Sequence, residues 1–264
     1  MSDTARGDAR NRVVVLASPC TATNVVTNAL RAEGIDAALV VERPVSGWRL
    51  AKRRAKRLGV PTVAGQVLFR LAAVPVLERR ARSRITEILA ASSLDAEHVD
   101  PMVQVASVND PAAREVLATL DPSVVVVVGT RIISRATLGC VHAPFVNLHA
   151  GITPRYRGVH GAYWALVEGR PDLVGSTVHL VDAGIDTGTV LRQATFQVTD
   201  RDSFATYPLL HLAVGVPQLV EVVEDVLAGK PLVGQPPLAC GDSRLWHHPT
   251  LWGYLSTRRR QHVA

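Results

Sequence analysis

Short apolar runs alternate with amphipathic stretches along most of the chain. Arg12–Ala17, Arg-Val-Val-Val-Leu-Ala, is β-branched and apolar and predicts a buried strand. Thr23–Gly34 then places Val26, Leu30 and the weaker Val25 at helical spacing, with Gly34 as the stop. Ile35–Val41 is a second strand signal, so the chain opens as β-α-β, the unit of a parallel sheet. The same rhythm returns from Asn109. Asp110 is placed to cap a helix with Pro111 at its first position, and Val124–Val128, five consecutive valines, suit a strand buried on both faces. Ala143–Ala150 is the next strand, with Phe145–Leu148 at its centre. Gly161–Gly169 reads as a helix, and Ser176–Asp182 and Thr189–Val198 as two strands whose short connection implies antiparallel pairing. Leu210, Val214, Leu219 and Val223 mark a last helix, which Pro217 is expected to bend or split.

Between the two regular regions lies an arm of different character. Gly47–Pro61 predicts a basic amphipathic helix with Leu50, Ala51, Ala55 and Leu58 as its apolar stripe. Val67–Ser92 is also helical in pattern, with an interruption expected near Pro75. A β-α-β crossover does not need this length. Residues 12–229 therefore predict one catalytic-sized α/β domain carrying a basic helical insertion, 47–93, and residues 230–264 a proline-rich, then aromatic C-terminal extension.

Composition narrows the classes. Of 264 residues 47% are hydrophobic and 20% charged, the balance of a folded globular protein. The net charge of +6 is concentrated in Lys52–Arg57, Arg79–Arg84 and Arg258–Arg260, which read as solvated helix faces and a frayed tail, with a polyanion footprint as the alternative. Cys20, Cys140 and Cys240 are distant and odd in number, so a reducing, cytoplasmic setting is expected. The polar first residues are unlike a signal peptide, and no uninterrupted apolar stretch is expected to cross a membrane.

The candidate chemistry sits where the strands end. Ligands of open α/β sheets bind at the carboxyl ends of strands. Asn147 and His149 occupy such an end and, two apart, point to one face. An Asn amide can donate to a developing oxyanion, and a His can donate or move a proton near neutral pH. Asp182 or Asp186, in the turn before Gly188, could supply an acid. No nucleophile is evident, so direct transfer of an acyl group to an amine through a tetrahedral intermediate fits this set. Each residue also has a plain structural reading: Asn147 and Asp186 as turn residues, His149 as a core histidine. The spacing of His149, His160 and His179 matches no zinc motif, so no metal is expected. No G-x-G-x-x-G follows the first strand, which removes the dinucleotide oxidoreductase reading.

Three ordered motifs carry a resemblance. Asn147–Gly158 (NLHAGITPRYRG), Gly175–His179 (GSTVH) and Asp186–Gly188 (DTG) resemble N-x-H-x-S-L-L-P-x-Y-x-G, G-x-T/S-V-H and D-x-G of the 10-formyltetrahydrofolate-dependent formyltransferases, a family of one-carbon metabolism with a Rossmann-like catalytic domain. The likeness spans Arg12 to about Gly229, the arm excepted. It implies that Asn147 and His149 polarise the formyl carbonyl and that Asp186 keeps His149 protonated and helps remove the amine proton. It also implies folate binding by Gly129, Arg131, Ile132 and Ile133 after the valine strand, and by Val181 and Asp182. Two departures stand out. Ala17–Asn24 has no glycine between Ser18 and Asn24, and Pro19 has no N–H, so a phosphate-binding backbone nest like that of the ribonucleotide enzymes is not expected there. Gly151–Thr153 (GIT) replaces S-L-L.

The resemblance implies an enzyme that N-formylates a primary amine of a small molecule, an amino sugar or a natural-product intermediate. Glycinamide ribonucleotide as acceptor and hydrolysis of the donor are the alternatives. A tRNA-binding domain like that of methionyl-tRNA formyltransferases is not expected in residues 230–264. The arm is open to three roles: lid, acceptor-specificity element or homodimer surface.

Overall fold

A computed structural model describes residues 12–261; the polar first residues lie outside the described part. Its centre is a seven-stranded sheet in the order β3-β2-β1-β4-β5-β7-β8. β1 (Val13–Ala17), β2 (Ala37–Glu42), β3 (Val103–Val105), β4 (Val124–Val128) and β5 (Phe145–His149) are mutually parallel. β7 (Gly175–Leu180) runs antiparallel to both β5 and β8 (Val190–Thr195), as the short connection predicts. A separate pair joins β6 (Tyr156–Gly158) in parallel to β9 (Arg244–Trp246) from the C-terminal extension.

The valine strand lies at the centre of the sheet, between β1 and β5, and all five valines are buried. On one face Val13, Val15, Val124 and Val126 meet α1 (Thr21–Ala32) and α8 (Tyr207–Leu227). On the other, Val14, Leu16, Val125 and Val127 meet α5 (Pro111–Leu120), whose cap Asp110 accepts from Ala112 N as anticipated. Burying a valine side chain stabilises by roughly 1.5–3 kcal/mol, so this strand is a large contributor to the core. A third, aromatic cluster of Phe69, Tyr156, Tyr163, Phe204, Tyr207 and Tyr254 unites arm, β6 and tail.

The arm is helical throughout but is divided differently from the expectation. α2 (Gly47–Leu58) ends at Gly59, which takes φ +84°. α3 (Val60–Leu68), a π-helical turn Phe69–Ala73 and α4 (Val74–Ala91) then form one continuous stretch. The regular α-helix is interrupted near Pro75, as expected, but by the π turn, and the helical path continues. The proline has no N–H to give, and the wider turn just before it absorbs the lost hydrogen bond. This stretch, Val60–Ala91, is the one helix among the described residues long and apolar enough to cross a membrane by length and composition, with an 18-residue window of mean hydropathy 1.6. Arg70, which breaks that run in sequence, is exposed. Pro217 leaves α8 whole. The expected frayed tail is instead α9 (Leu251–Gln261), packed on α3 and the π turn.

Candidate active site

β5 ends beside β7 with Asn147 paired to His179 and His149 paired to Thr177. Directly paired residues share a face, so four polar side chains are grouped at the carboxyl end of the parallel strands. His179 Nδ1 is 2.7 Å from the Leu180 carbonyl, which can only accept, so this nitrogen carries the proton. Nε2 is then a lone pair, and Asn147 Nδ2 donates to it at 3.0 Å. That contact fixes the amide with its second N–H left for a ligand.

His149 is 6% exposed. Its Nε2 donates to the Tyr156 carbonyl at 2.7 Å, which leaves Nδ1 toward Asp186, 3.4 Å from Oδ1. Gly151 makes room for this. A Cβ there would lie 2.4 Å from the Tyr156 oxygen and 2.9 Å from His149 Nε2, inside the very contact that orients the ring. The glycine that departs from the family's serine is therefore what this ring position needs. Thr177 pins the same loop by donating to the Gly151 carbonyl at 2.7 Å and accepting from Thr153 N at 3.1 Å.

Asp186 adopts φ +51°, a conformation Asp tolerates better than most residues. Its Oδ2 accepts from Gly158 N at 2.8 Å. Burial alone would raise its pKa, but His149, His179 and the Gly158 N–H outweigh burial and lower it to about 2. Burial pushes the His149 pKa below its ordinary value, against the pull of Asp186 and the Tyr156 carbonyl. The resemblance implies a protonated His149, and the site pulls both ways: burial favours the neutral ring, while two acceptors, the Tyr156 carbonyl and Asp186, face its two nitrogens.

All nine sequence-predicted residues line one cavity of about 1440 Å³, larger than a single drug-sized ligand needs. They do different things there. Gly129 turns the chain with φ +62°, and Asn109 clamps the loop that follows by donating to the Ile132 carbonyl and accepting from Ser134 N. Ile132 is 56% exposed, an apolar side chain suited to the face of a flat heteroaromatic ring, whereas Ile133 is buried in the sheet core. The Arg131 side chain is committed to Glu42 at 2.5 Å and to the Arg43 carbonyl. Asp182 closes its own turn through Gly184 N and Thr187 Oγ1. A loop with one free apolar side chain at a strand end fits the ring of 10-formyltetrahydrofolate, which Ile132 and the backbone of Gly129–Ile133 would hold.

Sequence reasoning missed His179, which partners Asn147 and whose Nε2 also lies 3.7 Å from Asp186. Its position in GSTVH, alternating with Thr177 on the strand facing β5, was the available signal. It also missed Glu42, a buried carboxylate that accepts from Ser18 Oγ, Val108 N and Arg131 N. The tail was not anticipated as a wall: Trp246, His247 and His248 line the cavity. His248 Nδ1 lies 2.8 Å from His160 Nε2, and Trp246 stacks on Trp164.

A family model described as formyl transferase matches residues 11–222. Methionyl-tRNA formyltransferase of Chlorobium chlorochromatii is 32% identical over 129 residues, 48% of this chain and 40% of that protein. The enzyme of the same description from Thermodesulfovibrio yellowstonii is 29% identical over 140 residues, 51% of this chain and 45% of its own. The chain thus aligns with less than half the length of these relatives. Among solved structures, phosphoribosylglycinamide formyltransferase of Anaplasma phagocytophilum superposes with a TM-score of 0.56 at 17% identity, covering 89% of this chain and 96% of that one. A sugar N-formyltransferase from Shewanella sp FDAARGOS_354 gives 0.55 at 14% identity, covering 94% and 87%. These likenesses fix the fold as the α/β formyltransferase architecture with helical insertions. With four-fifths of its length matched and the Asn147–His149–Asp186 cluster at the expected strand end, the chain belongs to the formyl transferase family.

Proposed function

We propose that this protein transfers the formyl group of 10-formyltetrahydrofolate to a primary amine of a small molecule in the cytoplasm. The observation that supports this most is the pairing of a fixed amide donor with a basic ring nitrogen. Asn147 Nδ2 has one N–H spare, and the neutral form of His149, which burial favours, presents a lone pair on Nδ1 beside Asp186. In this reading Asn147 donates to the formyl oxygen as the amine nitrogen bonds to the formyl carbon and the C=O pair moves onto oxygen. His149 Nδ1 takes the amine proton. The imidazolium so formed sits 3.4 Å from Asp186, which offsets its charge, and it returns the proton to the departing folate nitrogen as the carbon–nitrogen bond breaks. Asp186 acts by stabilising charge and needs no proton of its own.

Among acceptors, glycinamide ribonucleotide has more support from the comparisons than an unspecified amine, since several of the solved neighbours are described as acting on it. An amino sugar is the next reading, on the sugar N-formyltransferases among them. Hydrolysis would use the same trio with water in place of the amine. The test is to incubate the protein with 10-formyltetrahydrofolate and glycinamide ribonucleotide, amino-sugar nucleotides and free amino compounds, and to read products by mass. Gain of one formyl group on one acceptor, lost in His149→Asn, is expected. Formate release without acceptor would favour the hydrolase, and absence of folate binding would sink the assignment.

A further inference from the structure

The basic arm brings into the catalytic cavity a set of cations without counter-ions. Arg53, Arg54 and Arg57 line it from α2, Arg79 and Arg82 from α4. Among the described residues none of these five side chains has an ion pair or hydrogen bond. Arg84, Arg131, Arg155 and Arg170, by contrast, each hold a carboxylate. The arm's one acidic contribution to the cavity is Glu78, which pairs with none of them. Crowding is evident at Arg54, whose pKa is lowered by burial and then by Arg70 and Arg53. The same field, after burial, holds His247 and His248 down. Like charges gathered on one concave wall repel one another, a cost in free energy that a bound anion would offset.

The turn after β1, which also borders the cavity, lacks such a seat. The turn after β1 contains Pro19, and its Ser18 Oγ donates to the buried Glu42 carboxylate at 3.1 Å. An anion at that turn would meet a negative charge and one missing N–H.

We propose that Arg53, Arg54, Arg57, Arg79 and Arg82 form an acceptor subsite for a phosphate or diphosphate group, so that the amine reaches His149 as part of a phosphorylated small molecule. This rests on the formyl-transfer reading and deepens it. Five guanidinium groups exceed what one carboxylate neutralises, and their paired N–H groups match phosphate oxygens. They line a cavity wall shared with Asn147 and Asp186 rather than a convex face, which favours a small ligand over RNA.

Calorimetric titrations of the full chain with inorganic pyrophosphate, ribose 5-phosphate, uridine diphosphate and a single-stranded RNA oligonucleotide test this, with 10-formyltetrahydrofolate titrated in parallel. The variants are Arg54→Gln with Arg57→Gln, Arg79→Gln with Arg82→Gln, and Glu78→Gln. The first two pairs are expected to weaken the small phosphates by roughly tenfold or more while folate affinity holds. Glu78→Gln should tighten them, a change of sign that misfolding would not produce. Preference for ribose 5-phosphate over uridine diphosphate would indicate a monophosphate acceptor, and the reverse a nucleotide-linked one. Unchanged phosphate affinity in both pairs, or no phosphate binding by a wild-type chain that binds folate, would overturn the subsite. So would RNA binding with steep salt dependence and no small-phosphate binding. Phosphate binding without folate binding would instead leave the subsite standing and remove the formyl-transfer reading.

Discussion

Whether a buried histidine works as an acid or a base depends on which nitrogen already has a partner. The Tyr156 carbonyl takes the Nε2 proton of His149, so in the proposed transfer Nδ1 is the nitrogen that accepts the amine proton. Activity should therefore fall on acidification as His149 takes up a proton, with the decline below the ordinary histidine value near 6.5 because burial depresses its pKa. A kcat–pH profile checks this; a rise in activity at acid pH would contradict it. Asn147→Ala should lower kcat by about 10²–10³ with the fold intact, the usual loss for an oxyanion donor. Gly151→Ala should lower kcat by displacing the His149 ring, and circular dichroism would show the fold retained. The grouping of Asn147, His149 and Asp186 was legible in the sequence because three short motifs specify residue types at fixed intervals. His179 was not, because its role arises only from the register that sets it opposite Asn147.

Elements differ in legibility for physical reasons. β4 announces itself through five valines because a strand covered on both faces needs apolar residues throughout. β6 and β9 have three residues each, too few for any period to show. Pro75 and Pro217 are conventional breakers in isolation, yet a widened turn and tertiary packing accommodate both. Among the polar contacts that tie the arm to the domain, one is well buried: Arg84 Nε donates to Asp202 Oδ1 at 2.8 Å, with the Asp202 side chain fully buried. Arg84→Ala leaves that carboxylate without its cation and should destabilise by about 2–4 kcal/mol, less than a fully buried pair because Arg84 is partly exposed. Chemical denaturation measures it, and a loss below about 0.5 kcal/mol would place the arm's anchorage elsewhere.

At the scale of the molecule, the buried histidines set its acid tolerance. Burial lowers His160 and His211 to about 3 and His248 to about 4. Their folded pKa values lie below the unfolded value, so this contribution to stability is fully present above about pH 6.5 and is lost as pH falls toward 4 and 3. In that window the unfolded chain binds protons that the native one refuses, at up to roughly 1.4 kcal/mol per group per pH unit. The melting temperature should drop steadily from pH 7 to pH 5, and less steeply in His211→Gln. The pairing of β6 with β9 has a consequence for synthesis on the ribosome. Gly158, whose N–H steadies Asp186, lies against Trp246, and a Cβ at Gly158 would meet the Trp246 carbonyl at 2.3 Å. A nascent chain that has already laid down its seven-stranded sheet still lacks the partner strand of that glycine. The seat of Asp186 is therefore complete only once Arg244–Trp246 has emerged and paired with β6.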